Sequence, residues 1–169
     1  QNISFSLYNS SGLVNNTVYT NNASSYNVNV ISLISGIYWY NVTVVDRANH
    51  VNNTDTRFVV LDSVYPTVDY VSSTNSNNSY LSVNSFYVNV TGNDVNRNTS
   101  WVNINNTNYS MTCSGTVPYN CYYNRTGISD GIYNYTVYVN DSAGNINNTE
   151  QRNLTIDLIN PALSYISST

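Results

Sequence analysis

The sequence predicts an all-β chain of tandem β-sandwich domains, with about seven strands in each 95-residue repeat. Three features carry that expectation. An internal repeat runs without a gap, apolar residues recur every second position rather than at 3.6, and short apolar runs are separated by Asn, Ser and Gly.

Residues 35–74 align with residues 130–169 at an offset of 95, and 18 of those 40 positions are identical. Upstream the match loosens: Ile3, Phe5 and Leu7 fall over Ser100, Val102 and Ile104, with the first unit two residues longer in between. A period of 95 is too long for small solenoid repeats and suits a sandwich domain of about 100 residues. It divides the chain into a partial domain over 1–65, a complete one over 66–160, and residues 161–169 as the first strand of a following repeat or a donor strand. Pro66 and Pro161 mark the junctions, because proline does not continue the pairing of a preceding strand.

In the complete unit the predicted strands are 67–73, 85–91, 99–105, 108–113, 119–124, 131–140 and 150–157. Phe86, Val88 and Val90 alternate inward while Tyr87, Asn89 and Thr91 point out. Tyr133, Tyr135, Val137 and Val139 alternate against Asn134, Thr136, Tyr138 and Asn140, and Leu154 and Ile156 against Asn153 and Thr155. The first unit repeats the pattern with Tyr38, Tyr40, Val42 and Val44, then Val59 and Leu61.

Apolar residues make up 41% of the chain, enough for packed cores, yet only 8% are charged against about 25% in an ordinary soluble domain. There is no lysine, and polarity comes from 33 Asn and 40 Ser plus Thr. A disordered chain shows the reverse balance, with few aromatics and high net charge. The formal net charge of −4 and the scattered Arg47, Arg57, Arg97, Arg125 and Arg152 argue against nucleic acid as a partner. No apolar run approaches the roughly 20 residues of a membrane-spanning helix. Gln1 is not an initiator, which predicts a mature chain or an excerpt of a longer one.

The stretch from Gly131 through Asp141 to Asn145, followed by Thr155-Ile156-Asp157 and Pro161, resembles the end of bacterial and archaeal immunoglobulin-like surface-protein repeats. It is also similar to the last two strands of fibronectin type III domains. The resemblance covers about the last third of each unit and implies the sandwich fold, not a ligand. It implies that Tyr40 and Tyr135 are tyrosine-corner residues, whose hydroxyl bonds upstream backbone; a plain core tyrosine satisfies the alternation equally. Against that pattern the first unit begins at the third strand, so two strands are missing or are supplied by a neighbour through β-augmentation.

Sixteen Asn-x-Ser/Thr acceptors for N-glycosylation are present: Asn2, Asn9, Asn15, Asn22, Asn41, Asn52, Asn77, Asn89, Asn98, Asn105, Asn108, Asn124, Asn134, Asn140, Asn147 and Asn153. With 33 Asn and a Ser or Thr frequency of 40 in 169, chance gives about eight. Asn41, Asn89, Asn134, Asn140 and Asn153 also fall on the outward side of the alternation. A glycan there replaces charge as the solubilising layer.

Cys113 and Cys121, with seven residues between them and Pro118 among those, predict a disulfide closing a hairpin or loop in an oxidising exterior. His50 is the only histidine and sits in a predicted turn, so no catalytic triad can recur. Asp46 and Asp141 recur at the repeat offset, where an Asx-turn accounts for them. Asp62 and Asp157 precede the junction prolines; one or two acids per junction are too few oxygens for calcium. No catalytic, cofactor or metal residue is therefore expected. Trp39, Tyr87, Trp101 and Tyr138 are candidates for stacking on sugars, against cross-strand aromatic pairing.

These readings converge on a non-enzymatic, glycosylated extracellular repeat forming a filament, sheath or layer on the cell surface, with copies of itself or adjacent repeats as partners. The alternatives are an adhesin or glycan-binding stalk, and a non-catalytic accessory domain of a secreted enzyme.

Overall fold

The computed structural model describes residues 1–21 and 23–165 and divides the chain into two compact units, Gln1–Val64 and Tyr65–Thr169. The acceptor Asn22 and the last four residues of 161–169 lie outside the described residues. Every regular element described is a β-strand.

The first unit holds β1 (Asn2–Asn9), β2 (Gly12–Tyr19), β3 (Gly36–Val45), β4 (Val51–Asn53) and β5 (Arg57–Leu61). The second holds β6 (Thr67–Tyr70), β7 (Ser79–Leu81), β8 (Ser85–Asn93), β9 (Arg97–Ile104), β10 (Thr107–Ser110), β11 (Thr112–Ser114), β12 (Tyr119–Thr126), β13 (Gly131–Asp141), β14 (Ile146–Asn148) and β15 (Arg152–Ile156).

The second unit is a two-sheet sandwich. One sheet runs β10-β9-β13-β15-β7 with β14 also on β13; the other runs β11-β12-β8-β6. Alternation puts Phe86, Val88, Val90, Tyr119 and Cys121 of one sheet against Val102, Ile104, Tyr135, Val137, Val139, Leu154 and Ile156 of the other. All are buried, and each such aliphatic side chain contributes roughly 1.5–3 kcal/mol relative to exposure. The short β7 pairs in parallel with β15, and β14 fills the edge beside β13. Neither three-residue strand has an alternation long enough to read from sequence.

The first unit reproduces one of those sheets. Its order is β2-β1-β3-β4, with β5 also on β3. The register agrees residue for residue: Leu7 faces Tyr40 and Phe5 faces Val42, as Ile104 faces Tyr135 and Val102 faces Val137. The counterpart of the second sheet is missing. Residues 24–31 stand 95 positions before β12 and alternate as it does, with Tyr26, Val28 and Val30 half-buried and Asn27 and Asn29 exposed. They form no strand, because no β8 counterpart lies beside them. Among the described residues, Leu7 and Tyr38 are the only buried apolar side chains in this unit, against fourteen in the core of the second. The inward placement expected for Val59 is thus not burial: the residue is 40% exposed, since no opposing sheet covers it.

Candidate functional site

The repeat is carried by a set of hydrogen-bonded turns that account for the recurring acids. Asp141 Oδ1 accepts the backbone N–H groups of Ala143 and Asn145 (both 2.9 Å), and Oδ2 accepts Asn145 Nδ2 at 2.7 Å. Asp46 does the same with Ala48 (2.7 Å) and His50 (2.9 Å), and the His50 ring takes the place of Asn145. Asp62 and Asp157 each accept the N–H two residues on, from Val64 (3.0 Å) and Ile159 (3.1 Å). Burial pushes the Asp141 carboxyl up, but the Asn145 amide and the turn N–H groups outweigh it and hold it below its ordinary value of 3.8. For Asp46 the His50 backbone N–H is the main cause of a shift in the same direction.

A depressed carboxyl supplies stability that is present above its unfolded value and lost as pH falls through its folded one. The urea midpoint of the second unit is therefore expected to decline below about pH 4, and Asp141→Asn to flatten that decline. At the other extreme, burial and the neighbouring Tyr70 push the Tyr135 phenol up to about 12. That stabilisation is present below pH 10 and is lost as the pH rises toward 12.

The tyrosine-corner assignment shifts by two residues. Tyr38 donates to the Ile34 carbonyl and Tyr133 to the Ser129 carbonyl, both at 3.0 Å and both four residues upstream. Tyr135 is instead a core tyrosine: it is 1% exposed, its ring meets Phe86 and Tyr70, and its hydroxyl donates to Asn75 O at 3.2 Å. Tyr40 stacks on Phe5. Both tyrosines of each pair lie on one face, so alternation alone did not distinguish them.

Cys113 and Cys121 are joined by a disulfide and stand directly opposite across the β11–β12 ladder, with Cα atoms 4.0 Å apart. The bond closes a short loop, so Cys113→Ser with Cys121→Ser is expected to cost about 2–3 kcal/mol in urea unfolding.

None of the fifteen described acceptor asparagines is buried. Six sit within or at the end of strands with their side chains on the outer face, Asn41, Asn89, Asn124, Asn134, Asn140 and Asn153, whereas Asn15 stands opposite Leu7 in the β1–β2 ladder and shares its inner face. Asn2 and Asn9 end β1; Asn98, Asn108, Asn52 and Asn147 lie on β9, β10, β4 and β14; Asn77 precedes β7; Asn105 turns between β9 and β10. Several amides are already engaged. Asn147 Nδ2 donates to Pro66 O (2.9 Å), Asn105 Nδ2 to Ile132 O (3.3 Å) and Asn89 Nδ2 to Ser73 Oγ (2.8 Å). The hydroxyls of Thr149 and Thr54 have a structural task as well. They accept the backbone N–H of Val137 (3.0 Å) and Val42 (2.9 Å), where β14 and β4 leave the ladder.

Of the outward aromatics, Trp101 and Tyr138 face each other across β9 and β13 and stack with ring centroids 5.4 Å apart. Trp39, Tyr87 and Tyr122 stand between a third and a half exposed. In the first unit a groove is lined by Val42, Val44 and Asn52 to Thr54. The equivalent positions of the second unit, Val137, Val139 and Asn147 to Thr149, lie beside β6, and Pro66 and Val68 are buried there. Among the described residues, no three His, Cys, Asp or Glu side chains come together to hold a metal. Among the described residues, no helix is long and apolar enough to cross a membrane.

No family model matches the chain, and no curated protein matches it in sequence. Among solved structures the chain is similar to the fibronectin(III)-like modules of Clostridium thermocellum CbhA, at 15% identity over 98% of this chain and 83% of that one, with a TM-score of 0.43.

Proposed function

We propose that the chain is a structural, heavily N-glycosylated extracellular repeat, assembling with adjacent repeats or copies of itself into a cell-surface filament, sheath or layer. One observation carries the reading: Asn41, Asn89, Asn124, Asn134, Asn140 and Asn153 occupy the outer faces of sheets whose inner faces are apolar, and none of the described acceptors is buried. With 8% charged residues, sugar on those faces supplies the hydration that charge supplies elsewhere. The Cys113–Cys121 disulfide suits an oxidising exterior.

Assembly is supported by the uncovered face of the first unit. Strands equivalent to β6 and β8, from an adjacent repeat or another copy, would complete it by β-augmentation. Pro161, Leu163 and Tyr165 repeat Pro66, Val68 and Tyr70 at the same offset. Leu163 and Tyr165 are fully exposed, whereas Val68 is buried and Tyr70 half-buried with Arg152 4.1 Å from its ring centroid. Arg57 is the counterpart of that arginine in the first unit. Electron microscopy of native material tests the reading: periodic rods or layers are expected, and dispersed monomers contradict it.

An adhesin is the second reading, favoured by the stacked Trp101–Tyr138 pair on an outer face. Specific binding of the deglycosylated protein on a glycan array would favour it.

A further inference from the structure

Four outward aromatics, Trp39, Tyr87, Tyr122 and Tyr138, each stand two residues before an acceptor asparagine. In the β8–β12 ladder Tyr122 stands directly opposite Asn89, and Tyr87 directly opposite Asn124. Side chains two apart on a strand share a face, about 6.7 Å apart, so Tyr87 also neighbours Asn89 and Tyr122 also neighbours Asn124. Each acceptor thus has one tyrosine two residues before it and another across the ladder, with Cβ atoms about 5 Å away. The four residues form a checkerboard on the outer face.

Both tyrosines are 48% exposed, on a face that also carries Asn89, Thr91, Asn120 and Asn124. A shallow groove runs between them, lined by Val71, Ser73, Tyr87, Asn89, Asn120 and Tyr122. The same two-residue spacing joins Trp39 to Asn41 on β3 and Tyr138 to Asn140 on β13. The fold gains little from an aromatic ring left half in water, since burial is what makes such a ring stabilising. A pyranose ring has an apolar C–H face of about the area of a phenol. Linked to an asparagine amide, it can reach a ring two residues back on the same strand. The amide retains one N–H after substitution, and the bond from Asn89 Nδ2 to Ser73 Oγ (2.8 Å) needs only one.

We propose that Tyr87 and Tyr122 form a cradle on which the first pyranose residues linked to Asn89 and Asn124 lie flat, laying the glycans along the sheet rather than projecting them. This rests on the glycosylation reading above. It assigns Trp39, 37% exposed, the same task for Asn41.

The test compares native glycoprotein with Tyr87→Ala, Tyr122→Ala and the double variant, using the exposed Tyr80→Ala as control. Expected are upfield ring-current shifts of the sugar protons at Asn89 and Asn124, lost in the double variant and unchanged in Tyr80→Ala. Enzymatic removal of the glycans should lower the Tm of the wild type by about 4 °C and that of the double variant by much less. Glycosylated sites with unshifted sugar protons and an undiminished Tm loss would overturn the cradle alone. Bare Asn89 and Asn124 would overturn the glycosylation reading together with it. Binding of free oligosaccharide to the deglycosylated tyrosines would also overturn it, making the patch a receptor for foreign sugar.

Discussion

A fragment of residues 65–165 is expected to unfold in one cooperative transition, whereas residues 1–64 alone are expected to give none. The second unit closes two sheets over fourteen buried apolar side chains. The first presents the same strand order but, among the described residues, buries only Leu7 and Tyr38 of its apolar side chains. Ordering a residue costs about 1–2 kcal/mol of backbone entropy, which a single sheet with one uncovered face cannot offset. Far-ultraviolet circular dichroism through a thermal ramp checks both fragments. Adding an extended peptide with the β8 sequence should restore structure to residues 1–64, because that strand has no counterpart beside residues 24–31. A sharp transition of the first unit by itself would show that its open face needs no cover.

Gly92→Ala is expected to destabilise the second unit by about 3 kcal/mol, the upper end for overpacking a core. Gly92 stands opposite Tyr119 in the β8–β12 ladder, and a Cβ there would fall on the Tyr119 ring. Tyr119 has no room to retreat: it is fully buried, and Arg97 lies 4.7 Å from its ring centroid. The glycine is therefore required by close approach rather than by a turn. Tyr119→Leu should recover part of the loss in the double variant, and a double-mutant cycle in urea measures the coupling. Additive effects of the two substitutions would show that the clash is relieved elsewhere.

The long strands were legible because their alternation persists. Phe86, Val88 and Val90, and Tyr135, Val137 and Val139, are buried where period two places them. What sequence could not resolve lies where alternation is short or ambiguous. β7 and β14 are three residues each, and β7 exists only because β15 offers it a parallel edge. The tyrosine-corner bond falls to Tyr38 and Tyr133 because only they come within reach of a carbonyl four residues upstream, a distance that periodicity does not encode. The absent strands of the first unit were readable by alignment with the complete one. Their effect on residues 24–31 was not, since a strand-like sequence needs a partner to become a strand. The checkerboard of Tyr87, Asn89, Tyr122 and Asn124 needed the register of pairs 33 and 37 positions apart in sequence, which the ladder alone provides.

On the proposed reading, the outer faces of these sheets carry sugar where other proteins carry charge. Glycopeptide mapping of native material tests it directly, because each outward acceptor can be read by mass. Glycan mass on Asn89, Asn124, Asn134 and Asn153 is the predicted result. Unmodified asparagine at all four would contradict the claim and leave the scarcity of charge on these sheets unexplained.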